Sequence, residues 1–387
     1  MRVVLTTVGS RGDVEPVVGL AVALRELGAE VRVVAPPDED FVALLARVGV
    51  PHVPLGSSVR ALVGGAKPPT ADDARRFAAE LVAARFETLM AAARGCDALV
   101  ATGLMPVGAR DVAEKLGLRY VFACLQTYGL PPRRGAGEPD AGAERANALY
   151  REPLNRHRAA IGLPPVDNVR DHIFTERPWL AADPVLCPAE GRTDLDTDLD
   201  LVQTGAWILP DDRPLPADLE AFLAAGEAPV YAGFGSMASY VPKDIGRVTI
   251  EAIRAAGRRV VLARGWADLV AIDDRDDCFV VGEVNHQTLF RRVAAVVHHG
   301  GAGTTTTATH AGTPQVVIPQ IADQPLFAAR VAELGIGAAH DGPTPTVDSL
   351  STALTTALAP DTRTRARTVA GTVRSDGATV AAKLLLG

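Results

Sequence analysis

The sequence predicts an α/β protein with two parallel sheets, each covered on both faces by helices. Short apolar runs of strand length alternate with segments of helical periodicity along almost the whole chain, which is typical of parallel sheets. A polar, proline-rich stretch at 206–216 divides this pattern into halves of about 200 and 175 residues, each an ordinary domain size. Small-residue turns follow several predicted strands, where such sheets bind ligands.

The composition narrows the classes of function. A net charge of −7 over 387 residues, of which 5% are aromatic, argues against nucleic-acid binding. No apolar run reaches the roughly 18 residues of a membrane span, and the chain's start predicts a β-strand and not a signal peptide. The cysteines are too widely spaced for a disulfide frame or zinc site, which fits a cytoplasmic protein. They are Cys96, Cys124, Cys187 and Cys278.

Strands and helices alternate regularly in the first half. Strands are predicted at 3–7, 31–35, 51–55, 98–102 and 119–123. Helices are predicted at 16–27, 39–48, 71–94 and 107–116, the first with Pro16 in its first turn. A surface loop at 129–142, a helix at 144–160 and a strand at 179–188 follow. A carboxylate-rich run at 194–200 lacks the glycine that an EF-hand loop needs, so we interpret it as a solvated turn.

The second half repeats the alternation after the stretch at 206–216. Strands are predicted at 229–234, 259–263, 278–281, 293–297 and 315–319. Helices are predicted at 218–225, 243–256, 285–290, 304–310, 350–358 and 362–386.

We expect the functional centre in the stretch 295–325. Two histidines and the turn Gly300-Gly301-Ala302-Gly303 lie between a predicted strand and a predicted helix. Free N–H groups and the dipole at a helix start favour an anion, and glycines let a phosphate approach the backbone. The turn matches neither the P-loop nor the G-x-G-x-x-G pattern. It indicates a phosphate held by amides, hydroxyls and an imidazole or, alternatively, a tight turn without a ligand.

Two loops of the first half, at 9–13 and 104–106, lie at one mouth of its predicted sheet. In the first loop, Asp13 has two interpretations. It lies where an N-cap carboxylate would bind the free amides of the next helix. Alternatively it is a general base, because a carboxylate in a crevice loop can accept a proton from a bound hydroxyl.

Other positions after strands of the second half also keep two interpretations. Ser236 lies in a small-residue turn that would bring it near a nucleotide diphosphate. Trp266 either stacks on a base or packs without a ligand. Asp323 and Gln324 together offer the acceptors and donors that suit sugar hydroxyls, although a solvated loop is the default for such a pair.

Ten segments spread over nearly the whole chain carry a resemblance to a known family. They are GSRGDVEP (9–16), AEKLG (113–117), HRAAIGLPPV (157–166), PWLAADPVL (178–186), QTGAWILPDDRPL (203–215), GFGSM (233–237), ARGWADL (263–269), GEVNHQ (282–287), HHGGAGT (298–304) and ADQP (322–325). Together they resemble the GT-B glycosyltransferases, above all the glycopeptide-antibiotic enzymes of the vancomycin and teicoplanin type. The segment after Gln126 is short compared with some relatives.

The resemblance implies the GT-B fold, in which two Rossmann-like parallel-sheet domains face each other across a cleft. We expect an N-terminal acceptor-binding domain at 1–205, a linker at 206–216 and a nucleotide-sugar-binding domain at 217–365. We also expect a C-terminal helix at 366–387, and one alternative is that it packs back on the first domain. The resemblance also implies an inverting, metal-independent hexose transfer from a TDP- or UDP-sugar, without a cofactor.

Site residues follow from the resemblance and from the turns described above. Asp13 falls at the family's acidic base position. The residues that we assign to the donor are Ser10, Arg11, Gly12, Ser236, Trp266, Val284, His299, Gly300, Gly301, Ala302, Gly303, Thr304, Asp323 and Gln324. Those that we assign to the acceptor are Gln126, Thr127 and Tyr128.

The expected acceptor is a phenol-type hydroxyl of a glycopeptide aglycone, and the expected sugar is a glucose or N-acetylglucosamine type. Three alternatives stay open: a sterol or lipid glucosyltransferase, a non-catalytic nucleotide-sugar-binding protein, and a sugar-nucleotide epimerase. We expect a cytoplasmic monomer.

Overall fold

The computed structural model describes residues 1–63, 70–103, 105–130, 141–189 and 200–387, apart from the side chains of Val63 and Tyr128. Leu104, most of the loop predicted at 129–142 and most of the carboxylate run at 194–200 lie outside the described residues. The chain divides into two compact units. The first comprises Met1–Ala182, Pro188–Leu209 and Ser375–Gly387, and the second comprises Asp183–Cys187 and Pro210–Arg374.

A seven-stranded sheet forms the centre of the first unit. Its strands are β1 (Arg2–Thr6), β2 (Glu30–Ala35), β3 (His52–Pro54), β4 (Ala98–Thr102), β5 (Arg119–Cys124), β6 (Trp179–Leu180) and β7 (Val202–Gln203). They lie in the order β3-β2-β1-β4-β5-β6-β7, and all of these pairings are parallel. The strand expected at 179–188 is only the short β6, because Trp179 and Leu180 alone pair with β5 and β7.

Helices cover this sheet. They are α1 (Arg11–Glu26), α2 (Glu39–Arg47), α3 (Val59–Val63), α4 (Ala71–Ala84), α5 (Met90–Ala93), α6 (Ala109–Leu116), α7 (Ala141–Ala160) and α8 (Val169–Ile173). A π-helical turn at Arg85–Leu89 joins α4 to α5, and a 3₁₀ turn at Thr127–Gly129 follows β5. The helix predicted at 71–94 is therefore one helical segment with an irregular turn.

The second unit is built around a six-stranded sheet. Its strands are β8 (Val230–Gly233), β9 (Val260–Ala263), β10 (Cys278–Val281), β11 (Ala295–His298), β12 (Gln315–Val317) and β13 (Gly337–Ala339). Their order is β10-β9-β8-β11-β12-β13, again with parallel pairings throughout. The two parallel sheets predicted from the sequence are thereby confirmed. Strand β13 was not predicted, because its Gly-Ala-Ala sequence has little strand propensity.

Helices cover both faces of the second sheet. They are α9 (Ala217–Ala224), α10 (Ile245–Ala255), α11 (His286–Leu289), α12 (Ala302–His310), α13 (Gln324–Glu333), α14 (Val347–Ala357) and α15 (Pro360–Ala370). Successive residues of β8 supply opposite faces: Val230 and Ala232 join one buried apolar cluster, and Tyr231 joins the other. Burial on both faces explains why these strands read as continuous apolar runs.

The last helix, α16 (Gly377–Leu386), belongs to the first unit. The single helix expected at 362–386 is wrong, since α15 ends at Ala370 and α16 begins at Gly377. A Cβ on Gly377 would lie 2.4 Å from the carbonyl carbon of Gly205. Glycine is thus required at the first residue of α16, where this helix packs against Gly205.

The start of α1 corrects one sequence expectation. Residues 9–13 were expected to be a loop before a helix at Pro16, whereas α1 begins at Arg11. Ser10 and Asp13 form a capping box that starts the helix earlier. Pro16 therefore lies inside α1 and cannot donate the usual helical hydrogen bond to the Gly12 carbonyl.

Both sheets have a topological switch point near their centre. Strand order reverses between β1 and β4 in the first unit and between β8 and β11 in the second. Open parallel sheets bind ligands outside the carboxyl ends of the strands at such points. The segment that carries Asp13 follows β1, and the turns that carry Ser236 and His299 follow β8 and β11.

Candidate active site

The turn after β11 requires glycine at position 300. Gly300 has a φ of +92°, and a Cβ there would lie 2.7 Å from Val317 Cγ1 and 3.2 Å from the Gln324 carbonyl oxygen. The next residue, Gly301, is the N-cap of α12. Ala302, Gly303 and Thr304 then form the first helical turn, where N–H groups have no partner within the helix. The predicted strand, turn and helix arrangement for an anion is therefore present, with the helix starting two residues earlier than expected.

A buried histidine that the sequence analysis left without a role holds this turn. His298 Nδ1 accepts a hydrogen bond from the Gly300 N–H at 3.1 Å, so His298 Nε2 carries the proton and donates to Gln315 Oε1 at 3.0 Å. The Gln315 amide donates to the Thr309 hydroxyl of α12 at 2.9 Å. Burial, and secondarily His299, lowers the pKa of His298 to about 3. It is therefore neutral at physiological pH. The sequence offered one sign of this role: His298 is a polar residue in an apolar strand, two positions before Gly300.

His299 lies between two turns of the second unit. A Cβ on Gly301 would lie 2.6 Å from His299 Nε2, and a Cβ on Gly235 would lie 3.2 Å from His299 Cε1. The residue is 9% exposed, and its Nδ1 has no hydrogen-bond partner among the described residues. Burial lowers the pKa of His299 to about 4. The imidazole is thus neutral and offers a ligand a hydrogen bond and no charge.

The turn after β8 packs against the turn after β9. The backbone N–H of Trp266 donates to the Gly235 carbonyl at 2.9 Å. Gly265 has a φ of +57°, and a Cβ there would lie 2.9 Å from that same oxygen. Ser236 and Trp266 are both partly exposed on these turns. Val284, by contrast, is buried in the apolar cluster that contains Leu289 and Phe290.

Asp323 and Gln324 start α13 beside the glycine turn. Gln324 is buried; its Oε1 accepts from the Gln320 and Ile321 N–H groups at 2.8 and 3.1 Å, and its Nε2 lies 3.3 Å from Met237 Sδ. Ala322 has a φ of +55°, a conformation that non-glycine residues rarely adopt. The carboxyl of Asp323 is enclosed by protein although the residue is partly exposed, and burial raises its pKa to about 6.

Asp13 is the third residue of α1 in the first unit. Its Oδ2 accepts from the Ser10 N–H at 2.8 Å and lies 3.4 Å from the Ser10 hydroxyl. A Cβ on Gly9 would lie 2.1 Å from the same Oδ2. The expectation that Asp13 caps the amides of a helix starting at Pro16 is wrong, because Ser10 is the N-cap and Asp13 bonds back to it. The residue stays partly exposed.

The other predicted site residues of the first unit follow the strands β1 and β5. Arg11 Nε lies 2.7 Å from Glu15 Oε2, and Gly12 is exposed. Gln126 follows β5, and its Oε1 accepts from the Gly129 N–H at 3.0 Å. Thr127 is 1% exposed, whereas the Tyr128 side chain lies outside the described part of the structure.

One group of possible metal ligands occurs in the described ranges. It comprises Asp111, Glu114 and His172. The Arg158 guanidinium donates to both carboxylates. A cation already occupies the centre of this group, so it forms an ion network that holds α6, α7 and α8 together.

Two protein-family models match the chain. The Glycosyltransferase family 28 N-terminal domain matches residues 3–109, and the Erythromycin biosynthesis protein CIII-like, C-terminal domain, matches residues 259–381. In Amycolatopsis orientalis, the glycosyltransferase GtfE is 60% identical, and the vancomycin aglycone glucosyltransferase is 58% identical. Each alignment covers 100% of this chain and 97% of the relative.

This chain belongs to the glycopeptide-antibiotic glycosyltransferases. The dTDP-epi-vancosaminyltransferase of the same organism is 54% identical over 95% of this chain and 93% of its own length. The family resemblance expected from the ten segments is confirmed, and the protein is a glycosyltransferase. Within the described residues, no helix has the length and apolar character that crossing a membrane requires.

Solved structures place the glycosyltransferase in the GT-B fold. The glycotransferase of kitacinnamycin has a TM-score of 0.75 at 20% identity, covering 99% of this chain and 97% of that one. Glycosyltransferase VinC, solved in complex with dTDP, has a TM-score of 0.69 at 21% identity, covering 100% and 98%. The fold class expected from the sequence is confirmed.

Replacing Gly300 with alanine should lower stability, whereas replacing Gly303 with alanine should lower nucleotide affinity. In Gly300→Ala, the positive φ and the contact with Val317 should cost about 1–3 kcal/mol of folding free energy. In Gly303→Ala, a Cβ would meet no atom within 4 Å, so the melting temperature should stay the same or rise. Nucleotide affinity should nevertheless fall at least tenfold, because the methyl group covers the amides. Thermal denaturation measures the change in stability, and titration calorimetry with UDP and TDP measures the affinity. Unchanged affinity in Gly303→Ala would contradict a diphosphate on this turn.

Asp323 predicts a pH dependence of donor binding. Because burial raises its folded pKa to about 6, the carboxyl is protonated below that pH and a carboxylate above it, and this ionisation also withdraws stability as the pH rises through 6. A carboxylate accepts hydroxyl hydrogen bonds more strongly. The KM for the donor should therefore fall as the pH rises from 5 to 7, and Asp323→Asn should flatten that profile. If the pH profile of the donor KM were identical in wild type and variant, Asp323 would have no role in donor binding.

Proposed function

We propose that this glycosyltransferase transfers a hexose from a TDP- or UDP-sugar to a hydroxyl of a glycopeptide aglycone, with inversion at C1. The observation that carries the proposal is the glycine turn at the switch point of the second sheet, where a helix start and a buried imidazole converge. Identities of 58 and 54% to a vancomycin aglycone glucosyltransferase and a dTDP-epi-vancosaminyltransferase support the acceptor and the nucleotide.

The nucleoside diphosphate is the leaving group of this reaction. As the bond between C1 and the diphosphate oxygen breaks, the oxygen takes the electron pair and gains negative charge. The amides of Ala302, Gly303 and Thr304 and the start of α12 stabilise that charge. The neutral His299 adds one N–H. The turn thus performs the task that a divalent cation performs in other sugar transferases.

Asp13 accepts the proton of the acceptor hydroxyl as its oxygen attacks C1 from the side opposite the diphosphate. A carboxylate is a weak base, so the proton moves as the C–O bond forms, which suits an oxocarbenium-like transition state and a phenolic acceptor. The hydrogen bond from the Ser10 N–H orients the carboxylate. The glycine at position 9 leaves room for it, since any Cβ there would overlap Oδ2.

The assignment of the sugar rests on α13. Asp323 offers a partly exposed carboxyl at the start of this helix. The Gln324 side chain is bonded within the protein through Oε1, and one of its amide hydrogens is directed at Met237 Sδ. The second amide hydrogen is the one that a sugar hydroxyl would accept. Two such groups favour a hydroxyl-rich hexose of the glucose or N-acetylglucosamine type.

Replacing Asp13 with Asn tests the base. Asn retains an acceptor for the Ser10 N–H, so α1 and the melting temperature should change little. Turnover should fall by about 10²–10⁴-fold, while the dissociation constant of UDP or TDP stays within twofold of wild type. Asp73→Asn is the matched control: Asp73 accepts from the Thr70 N–H at 3.0 Å in the same kind of capping box, at the start of α4, and its replacement should leave turnover unchanged. Wild-type turnover in Asp13→Asn would reduce Asp13 to a helix cap.

A donor and acceptor panel tests the reaction itself. TDP- and UDP-sugars are combined with vancomycin-type and teicoplanin-type aglycones and with a sterol, and the mass added to each acceptor is measured. We expect one hexose on an aglycone, no sterol product, and the same rate in EDTA as in Mg²⁺. Donor consumed without an acceptor to form an isomeric sugar, or a strict Mg²⁺ requirement, would refute the proposal.

A further inference from the structure

A buried cation without an anion lies behind the carboxyl end of β4. Arg85 is 2% exposed, and it forms no ion pair with any carboxylate in the described part of the chain. Its Nη1 donates to the Met105 and Val107 carbonyls at 3.0 Å each, whereas its Nε has no partner among the described residues. Burial lowers its pKa to about 10, so Arg85 stays charged at neutral pH. Such a buried charge is costly to retain.

Arg85 occupies a position that an apolar side chain would ordinarily fill. The buried residues of this helical segment are Ala78, Leu81, Val82, Arg85, Phe86 and Leu89. Their spacing is the buried stripe of an amphipathic helix, and Arg85 is its one cation. The residue also begins the π-helical turn Arg85–Leu89, an irregularity that is frequent at functional sites. Packing alone would be served by Met or Leu.

The residues that Arg85 holds, Met105 and Val107, lie between two glycines of positive φ. Gly108, with a φ of +94°, ends this segment, and a Cβ there would lie 3.3 Å from Phe86 Cε2. At the other end, Gly103 has a φ of +99°, and a Cβ there would lie 3.4 Å from the Val8 carbonyl oxygen. Val8 and Gly9 lead directly into the turn that presents Asp13.

We propose that Arg85 is a positioning residue for the acceptor, an inference that rests on the proposed function. It fixes the Met105 and Val107 carbonyls, so that residues 105–107 form a rigid wall for the acceptor that Asp13 serves. The acceptor hydroxyl then meets Asp13 in one orientation. Arg85 belongs to the first unit and the glycine turn after β11 to the second, so we expect the effect of Arg85 on the acceptor and not on the donor.

The test compares Arg85→Met with Arg25→Met. Arg25 makes the same kind of contact, with Nη1 donating to the Val48 and Gly49 carbonyls at 3.0 and 2.7 Å. That turn precedes β3 and so lies at the opposite, amino end of the sheet. In Arg85→Met, kcat/KM for the aglycone should fall at least tenfold. The KM for the donor and the slow hydrolysis of the sugar nucleotide without acceptor should stay within twofold. Arg25→Met should change none of the three.

Arg85→Lys provides the rescue. Its ammonium can donate to both carbonyls, so kcat/KM for the aglycone should return to within about threefold of wild type. If Arg85→Met fails to fold, Arg85→Gln, whose side chain is shorter and uncharged, takes its place: a fall in kcat/KM for the aglycone with unchanged donor hydrolysis supports positioning. Equal losses in aglycone transfer and donor hydrolysis, or equal effects of the Arg85 and Arg25 variants, would overturn it. A wild-type enzyme that transfers to no acceptor would instead refute the proposed function.

Discussion

The hydrogen bond from the Gly300 N–H to His298 Nδ1 is the constraint on which the second unit's site depends. It holds Gly300 in a left-handed conformation and directs the chain from β11 into α12. Gln315 and Thr309 extend the bond into β12 and α12. Since each polar group is buried, an unmet partner would carry a desolvation cost, and the network therefore selects one geometry for the turn.

The same burial decides how the site handles charge. His298 and His299 both have a strongly lowered pKa because the protein encloses them. Neutral imidazoles cost less to bury than cations. Both ring nitrogens of His298 are engaged within the protein, so in the proposed reaction only His299 offers the diphosphate a hydrogen bond. In the proposed reaction the start of α12 and its free amides carry most of the stabilisation of the diphosphate. A preorganised set of dipoles needs no rearrangement as charge grows on the leaving group.

The positions of most candidate site residues were predictable because these residues follow strands. The glycine turn, Ser236 and Asp323 all lie directly after apolar runs, and a parallel sheet brings such positions to one edge. Asp13 was placed correctly after β1 but with the wrong local structure, because Pro16 drew the predicted helix start too far along the chain. His298 and Arg85 were missed, since their partners, Gln315 and the Met105 and Val107 carbonyls, are distant in sequence.

The sequence by itself determined the two parallel sheets, the order of most strands and helices, and the family. Apolar periodicity and glycine turns are local properties of the sequence. The ten matching segments identify the family without any knowledge of the structure. Only the tertiary structure decided which polar side chains are neutral, which carbonyls a buried arginine holds, and which glycines are obligatory. Those properties arise from burial and from contacts between segments far apart along the chain, such as Gly205 with Gly377. No local pattern records them, because desolvation depends on everything that surrounds a group.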